Sequence, residues 1–189
     1  CEHYGVFAIL QELTRRFNIE VSTCPILDTL NGGDPVDVIS KHLKPNTRLV
    51  IISHILWNTG QLLPLDEIVK VCHNYSGSKK PIQVLVDAAQ SVGCLPLNLT
   101  ESEVDFYSFT GHKWLCGPMG VGGLYISPEA FKTIHPTFIG WRSVYSEKAR
   151  VTGWKENGKL FEVATSAYPL YEGLRGAIIT HQEFANSQK

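Results

Sequence analysis

Apolar residues recur along this chain in two rhythms that take turns. Val6, Leu10, Leu13 and Phe17 fall at helical spacing with Ile9 beside them, which predicts a helix over residues 5–17. Asn31-Gly32-Gly33-Asp34-Pro35 reads as a loop, and Val36 to Leu43 as a short helix. Leu49-Val50-Ile51-Ile52 is an unbroken apolar run, the pattern of a strand covered on both faces. Pro64 and Asp66 then open a helix carrying Ile68, Val69, Cys72 and Tyr75 along one side. The polar loop Ser76 to Pro81 leads to a second buried strand at Val84-Leu85-Val86. Asp105 to Phe109 and Gly123 to Ile126 read as two more strands. Pro169 starts a last helix with Leu170, Leu174, Ile178 and Phe184.

Strands alternating with helices predict an α/β fold, a mostly parallel sheet with flanking helices. Ligands of such sheets bind beyond the carboxyl ends of the strands. Here those ends lie just after Ile52, Val86 and Phe109. They open into Ser53-His54-Ile55-Leu56-Trp57-Asn58, Asp87-Ala88-Ala89-Gln90-Ser91 and Thr110-Gly111-His112-Lys113-Trp114. Polar and ionisable side chains therefore gather at one rim.

Composition narrows the classes. Hydrophobic residues at 43% against 19% charged suit a globular core, not a disordered chain. The net charge is −1 and the 17 Lys and Arg are scattered, so no nucleic-acid partner is expected. No apolar run is long enough to cross a bilayer, so no membrane partner is expected either. The five cysteines are odd in number and none form a CxxC pair, which argues against a disulfide scaffold and a zinc site. Free thiols suit the cytoplasm or another reducing compartment such as a plastid. Gly117-Pro118-Met119-Gly120-Val121-Gly122-Gly123 lacks the GK[ST] ending of a phosphate loop and precedes a strand, so it reads as a backbone turn. The chain opens at Cys1-Glu2-His3, without Met and straight into a helical pattern, so a fragment or a processed chain is expected.

The rim suits pyridoxal 5'-phosphate (PLP). The aldehyde of PLP needs a lysine amine, its ring nitrogen needs a carboxylate to stay protonated, and its phosphate needs hydroxyl and N–H donors. Lys113, Asp87, Thr110 and His112 are the right types at the right rim. Lys113 follows Asp87 by 26 residues, room for one connection and one strand. Lys113, Asp87 and His112 have plainer readings alone: a surface lysine, a turn or helix cap, a core histidine. Cys116 reads as an inert thiol despite standing near Lys113.

At VDAAQSVG (86–93) and SFTGHKWLCGPMGVGGLYI (108–126) the sequence resembles the class V aminotransferase-fold PLP enzymes of fold-type I, the group that contains cysteine desulfurases. WNTGQLLPL (57–65), GWRS (140–143) and FEVATSAYP (161–169) resemble the cyanobacterial-type cysteine/cystine C–S lyases within it. The resemblance covers nearly the whole chain. It implies that residues 1–189 are the central part of a PLP-binding large domain. The family's glycine-containing phosphate loop and its small domain, with a substrate-binding arginine and the desulfurase cysteine, are not among them.

The same resemblance implies roles residue by residue. Lys113 is the Schiff-base lysine and general base, and Asp87 pairs with the pyridine nitrogen. Gln90 bonds the ring hydroxyl, and Thr110 and His112 bind phosphate. His3, of the Glu2-His3 pair, stacks on the ring. Asn58 faces the substrate carboxylate or the ring hydroxyl. Thr165 reaches the phosphate of the partner subunit in a homodimer with shared sites. The implied reaction is C–S cleavage of a cysteine- or cystine-type amino acid by β-elimination. A persulfide-forming desulfurase, an aminotransferase or epimerase, and a truncated non-catalytic homologue are the alternatives. Thr165 also has the reading of a helix cap and Asn58 that of a turn. Trp141-Arg142 reads as a substrate contact or a subunit interface.

Overall fold

The computed structural model describes residues 1–187, with side chains as far as Phe184. In chain order the elements are α1 (Tyr4–Phe17), α2 (Pro35–His42), β1 (Leu49–Ser53), α3 (Leu65–His73), β2 (Gln83–Asp87), β3 (Phe106–Thr110), β4 (Gly122–Ile126), α4 (Pro128–Phe131), β5 (Val144–Glu147), β6 (Arg150–Trp154) and α5 (Tyr168–Ser187). Short 3-10 turns stand at Ile26–Thr29 and Gly158–Phe161.

Helix ends follow local chemistry. The His3 ring accepts a hydrogen bond from the Gly5 N–H at 3.2 Å and starts α1, and Asn18 ends it in the left-handed conformation at φ 53°. Asp34 caps α2 through the Val36 N–H at 2.8 Å, with Pro35 in the first turn where its missing N–H costs nothing. α3 buries Leu65, Ile68, Val69 and Cys72 on one face. Tyr75, expected on that face, lies beyond the helix, and its hydroxyl donates to the Leu43 carbonyl at 3.2 Å. α1 forms as expected, yet none of its residues is fully buried, and Ile9 and Phe17 are exposed.

The main sheet runs β1-β2-β3-β4. β1, β2 and β3 are parallel, and β4 returns antiparallel to β3. The core under it joins Ile39, Leu56, Leu63, Ile68, Val69, Cys72, Ile82, Val84, Val86, Val104 and Tyr107. Burial, with the Asp105 carboxylate nearby, pushes the Cys72 thiol up to about 12, so it stays protonated in the core. All five cysteines are free. Among the described residues no helix is long and apolar enough to cross a membrane.

A second unit was not foreseen: β5 and β6 form an antiparallel hairpin. Its residues are almost all exposed, so no burial pattern marks them. Its turn, Lys148-Ala149, takes φ 48° and 62° without the Gly or Asn that usually announces such a turn.

Asp105, expected to begin β3, stands just before it and is buried. Its carboxylate accepts from the Val84 backbone N–H at 2.8 Å and pairs with His73 Nε2 at 2.9 Å, tying α3 to the sheet. The hydrogen bond to Asp105 raises the His73 pKa above its ordinary 6.5, against a smaller effect of burial. A raised histidine pKa adds stability that is fully present below about 6.5 and is lost as pH rises through the raised value. The stability gap between wild type and His73→Gln should therefore be larger near pH 5.5 than near pH 8.5, by up to about 1 kcal/mol for a pair partly screened by solvent. Urea unfolding of both proteins at the two pH values measures it. A gap that does not change with pH would contradict the ion pair.

Candidate active site

The parallel register sets Ser53 and Asp87, the last residues of β1 and β2, side by side with Ser108, two residues before the end of β3 at Thr110. Three turns leave from that line, and the chain's first residues fold back to meet it.

At the β1 end the Glu2 carboxylate accepts from the Ser53 N–H at 2.9 Å and from the Ser53 hydroxyl at 2.7 Å. Burial pushes the Glu2 carboxyl up, the two Ser53 hydrogen bonds pull it back, and the Asp87 carboxylate adds to the rise. Glu2 and Asp87 thus share one electrostatic neighbourhood. His3, half-buried, lies 4.0 Å from the Tyr4 ring and meets Trp57 edge-on at 5.9 Å between centroids. Trp57 sits in the loop that closes with the Leu63 N–H on the His54 carbonyl at 2.9 Å. Asn58, next to it, is exposed in the loop.

At the β2 end, Asp87 Oδ1 accepts from the Ala89 N–H at 3.0 Å, and the Ser91 N–H bonds the Ala88 carbonyl at 3.1 Å. This tight turn presents Gln90. Its Oε1 accepts from the Trp114 indole N–H at 2.9 Å, which leaves the amide N–H groups as donors. Trp114 follows Lys113, so this bond fastens the second turn to the third.

The third turn is closed by its own backbone. The Gly111 N–H bonds the Val121 carbonyl, and the Gly117 N–H bonds the Gly111 carbonyl, each at 2.8 Å. The Cys116 N–H bonds the Lys113 carbonyl at 2.9 Å. His112 and Lys113 project from it exposed. Thr110 Oγ1 is buried and has no hydrogen-bond partner among the described residues. A buried hydroxyl without a partner is costly unless a ligand oxygen completes it. This hydroxyl, the carboxylate of Asp87 and the amine of Lys113 on one rim fit the phosphate, ring nitrogen and aldehyde of PLP.

The structure therefore brings together Asp87, Gln90, Thr110, His112 and Lys113, with His3 and Asn58 at the neighbouring strand end. It does not bring Thr165 there by any contact among the described residues. Thr165 is exposed, and the first turn of α5 is closed by backbone bonds from the Leu170 and Tyr171 N–H groups to the Ala167 carbonyl. The segment around it is pinned instead by Arg142, whose guanidinium pairs with Glu162 at 2.6 Å and donates to the Tyr168 hydroxyl at 2.6 Å. Arg142 is thus engaged within its own chain, while Trp141 is exposed. Ser53 and Trp114 had no assigned part in the sequence reading. Their signal was position only: the last residue of an apolar strand and the neighbour of the key lysine.

The aminotransferase class-V family model matches residues 1–189. Among solved structures, the chain is similar to the cystine C–S lyase C-DES in complex with its reaction product cysteine persulfide. The match is 55% identical with a TM-score of 0.93, over 97% of this chain and 48% of that one. A C-DES mutant with glycine covalently linked to the PLP cofactor is 54% identical, with a TM-score of 0.92 over 97% and 48% of the two chains. A probable cysteine desulfurase of Chlamydia muridarum is 34% identical over 94% of this chain and 42% of its own length. The chain spans less than half the length of each of these relatives.

Gly93 locks the second and third turns together. It stands at φ +90°, and a Cβ there would lie 2.6 Å from the Trp114 carbonyl carbon and 2.8 Å from the Leu115 nitrogen. Its carbonyl also contacts His181 of α5 at 2.8 Å. Gly93→Ala should destabilise the protein by at least about 1–3 kcal/mol, since backbone strain and a backbone clash add. Gly176→Ala, where a Cβ meets nothing, should be neutral or stabilising. Thermal unfolding compares them. Equal midpoints for the two variants would refute the lock.

Proposed function

Because the chain belongs to the class-V aminotransferase family, we propose that it carries PLP on Lys113 and, in its full-length protein, cleaves the C–S bond of a cysteine- or cystine-type amino acid by β-elimination. The observation that carries this reading is the strand register that puts Asp87 at the rim from which Thr110 and Lys113 depart. The 55% identity to a cystine C–S lyase supports the choice of reaction.

PLP, when bound, supplies an electron sink for the charge left at Cα as the C–S bond breaks. The residues of this chain do the rest. Asp87 holds a proton on the ring nitrogen with its carboxylate. Gln90 donates an amide N–H to the ring oxygen, its carbonyl being held by Trp114. Thr110 and His112 donate to the phosphate. His3 covers one ring face. Asn58 orients the substrate carboxylate or the ring oxygen. Lys113 Nζ would hold the cofactor through its aldehyde and would serve as the base for the substrate Cα proton. Thr165, exposed in this chain, is assigned to the phosphate of the partner subunit in a homodimer. The Chlamydia relative favours cysteine desulfurase as the second reading. There an enzyme cysteine takes the sulfur, so cysteine replacement would stop turnover, whereas elimination needs no cysteine.

Borohydride treatment of the full-length, PLP-loaded protein should fix the cofactor to Lys113, located by peptide mapping, and Lys113→Ala should abolish both the label and sulfur release. A label on any other lysine would overturn the assignment.

A further inference from the structure

Beneath the rim lies a buried polar chain that the reaction outlined above does not use. Tyr107 and Ser91 have no exposed surface and His54 is 8% exposed. His54 Nδ1 stands 2.8 Å from the Tyr107 hydroxyl, and that hydroxyl 2.7 Å from Ser91 Oγ. Ser91 Oγ in turn bonds the Ala88 carbonyl at 3.2 Å.

The direction of this chain follows from counting protons. A carbonyl only accepts, so the single hydroxyl proton of Ser91 goes to Ala88. Ser91 must then accept from Tyr107, which spends the proton of Tyr107. Tyr107 oxygen must accept from His54, so His54 Nδ1 carries a proton. Burial lowers the His54 pKa, which favours the neutral ring, and its one proton is thereby placed on Nδ1. The donors run one way: His54, Tyr107, Ser91, Ala88 carbonyl. The His54 backbone N–H also bonds the Asp87 carbonyl at 3.1 Å, and the Ala88 N–H bonds the Ser108 carbonyl at 2.8 Å. The start of the Asp87–Ser91 turn is thus tied to His54, just after β1, and to Ser108 of β3.

We propose that the His54–Tyr107–Ser91 chain is a positioning device for the cofactor-binding turn, setting the angle at which Asp87 and Gln90 meet the ring. None of the three touches the cofactor in this account. They act through the backbone of residues 87–91. The inference rests on the reading of this rim as a PLP site.

The distinction from mere stability is measurable. The full-length protein is titrated with PLP, followed by the visible absorption of the bound cofactor, well below the unfolding temperature. Tyr107→Phe and Ser91→Ala should each weaken PLP binding roughly three- to tenfold and shift the absorption band, since the turn loses its fixed geometry. Ile68→Val, a core change on α3 that leaves all three hydrogen-bonding side chains intact, should lower the melting temperature yet bind PLP as wild type does. His54→Asn, which keeps an N–H donor near the place of Nδ1, should stay close to wild type. Wild-type affinity and spectrum in both Tyr107→Phe and Ser91→Ala would overturn the proposal, as would equal weakening in Ile68→Val. A wild-type protein that takes up no PLP would instead overturn the cofactor reading, and this inference with it. Should Tyr107→Phe not fold, Ser91→Ala decides the question by the same two readouts.

Discussion

Everything at the candidate site depends on the in-register parallel pairing of three short strands. Ile52, Val86 and Tyr107 form one layer of that register, and Ser53, Asp87 and Ser108 the next. The first layer is held by burial: Val86 and Tyr107 have no exposed surface, and Ile52 has little. A slip of one residue would turn that layer outward and drag the polar layer into the core. The cost of such a slip fixes where Asp87 stands as firmly as any contact Asp87 makes itself. The turns then need only short reaches to join, through Glu2 to Ser53 and Gln90 to Trp114.

Much of this frame was legible in the sequence because it is written in burial. β1 and β2 stand where unbroken apolar runs lie, and α3 where Ile68, Val69 and Cys72 share a face. The rule for parallel sheets puts Asp87, Gln90, Thr110, His112 and Lys113 at one rim, and the register sets Asp87 beside Ser108, two residues before Thr110. The β5–β6 hairpin was not legible, because an exposed ribbon with a Lys-Ala turn carries neither periodicity nor turn chemistry. Asp105 was misplaced by one position because its carboxylate bonds the Val84 N–H from beside the strand, a tertiary contact that no local pattern reports. The same holds for Tyr107, which reads as one more core aromatic. Only the need of a buried phenol for a partner hints at His54 and Ser91.

The electrostatics of the rim also form a consistent picture. Burial raises the Glu2 carboxyl, and the nearby Asp87 carboxylate adds to that rise. Glu2 is satisfied by two Ser53 donors, while Asp87 spends one oxygen on the Ala89 N–H. An acceptor remains on Asp87, and a buried hydroxyl without a partner remains on Thr110. A group with a protonated ring nitrogen at one end and a phosphate at the other answers both.

The central claim is that PLP occupies the carboxyl rim of β2 and β3. Hydrogen exchange of the full-length protein, with and without PLP, tests it most directly. The account predicts new protection concentrated in residues 87–92 and 110–117, where the two turns meet. Protection confined to other segments, with those turns exchanging as before, would contradict it.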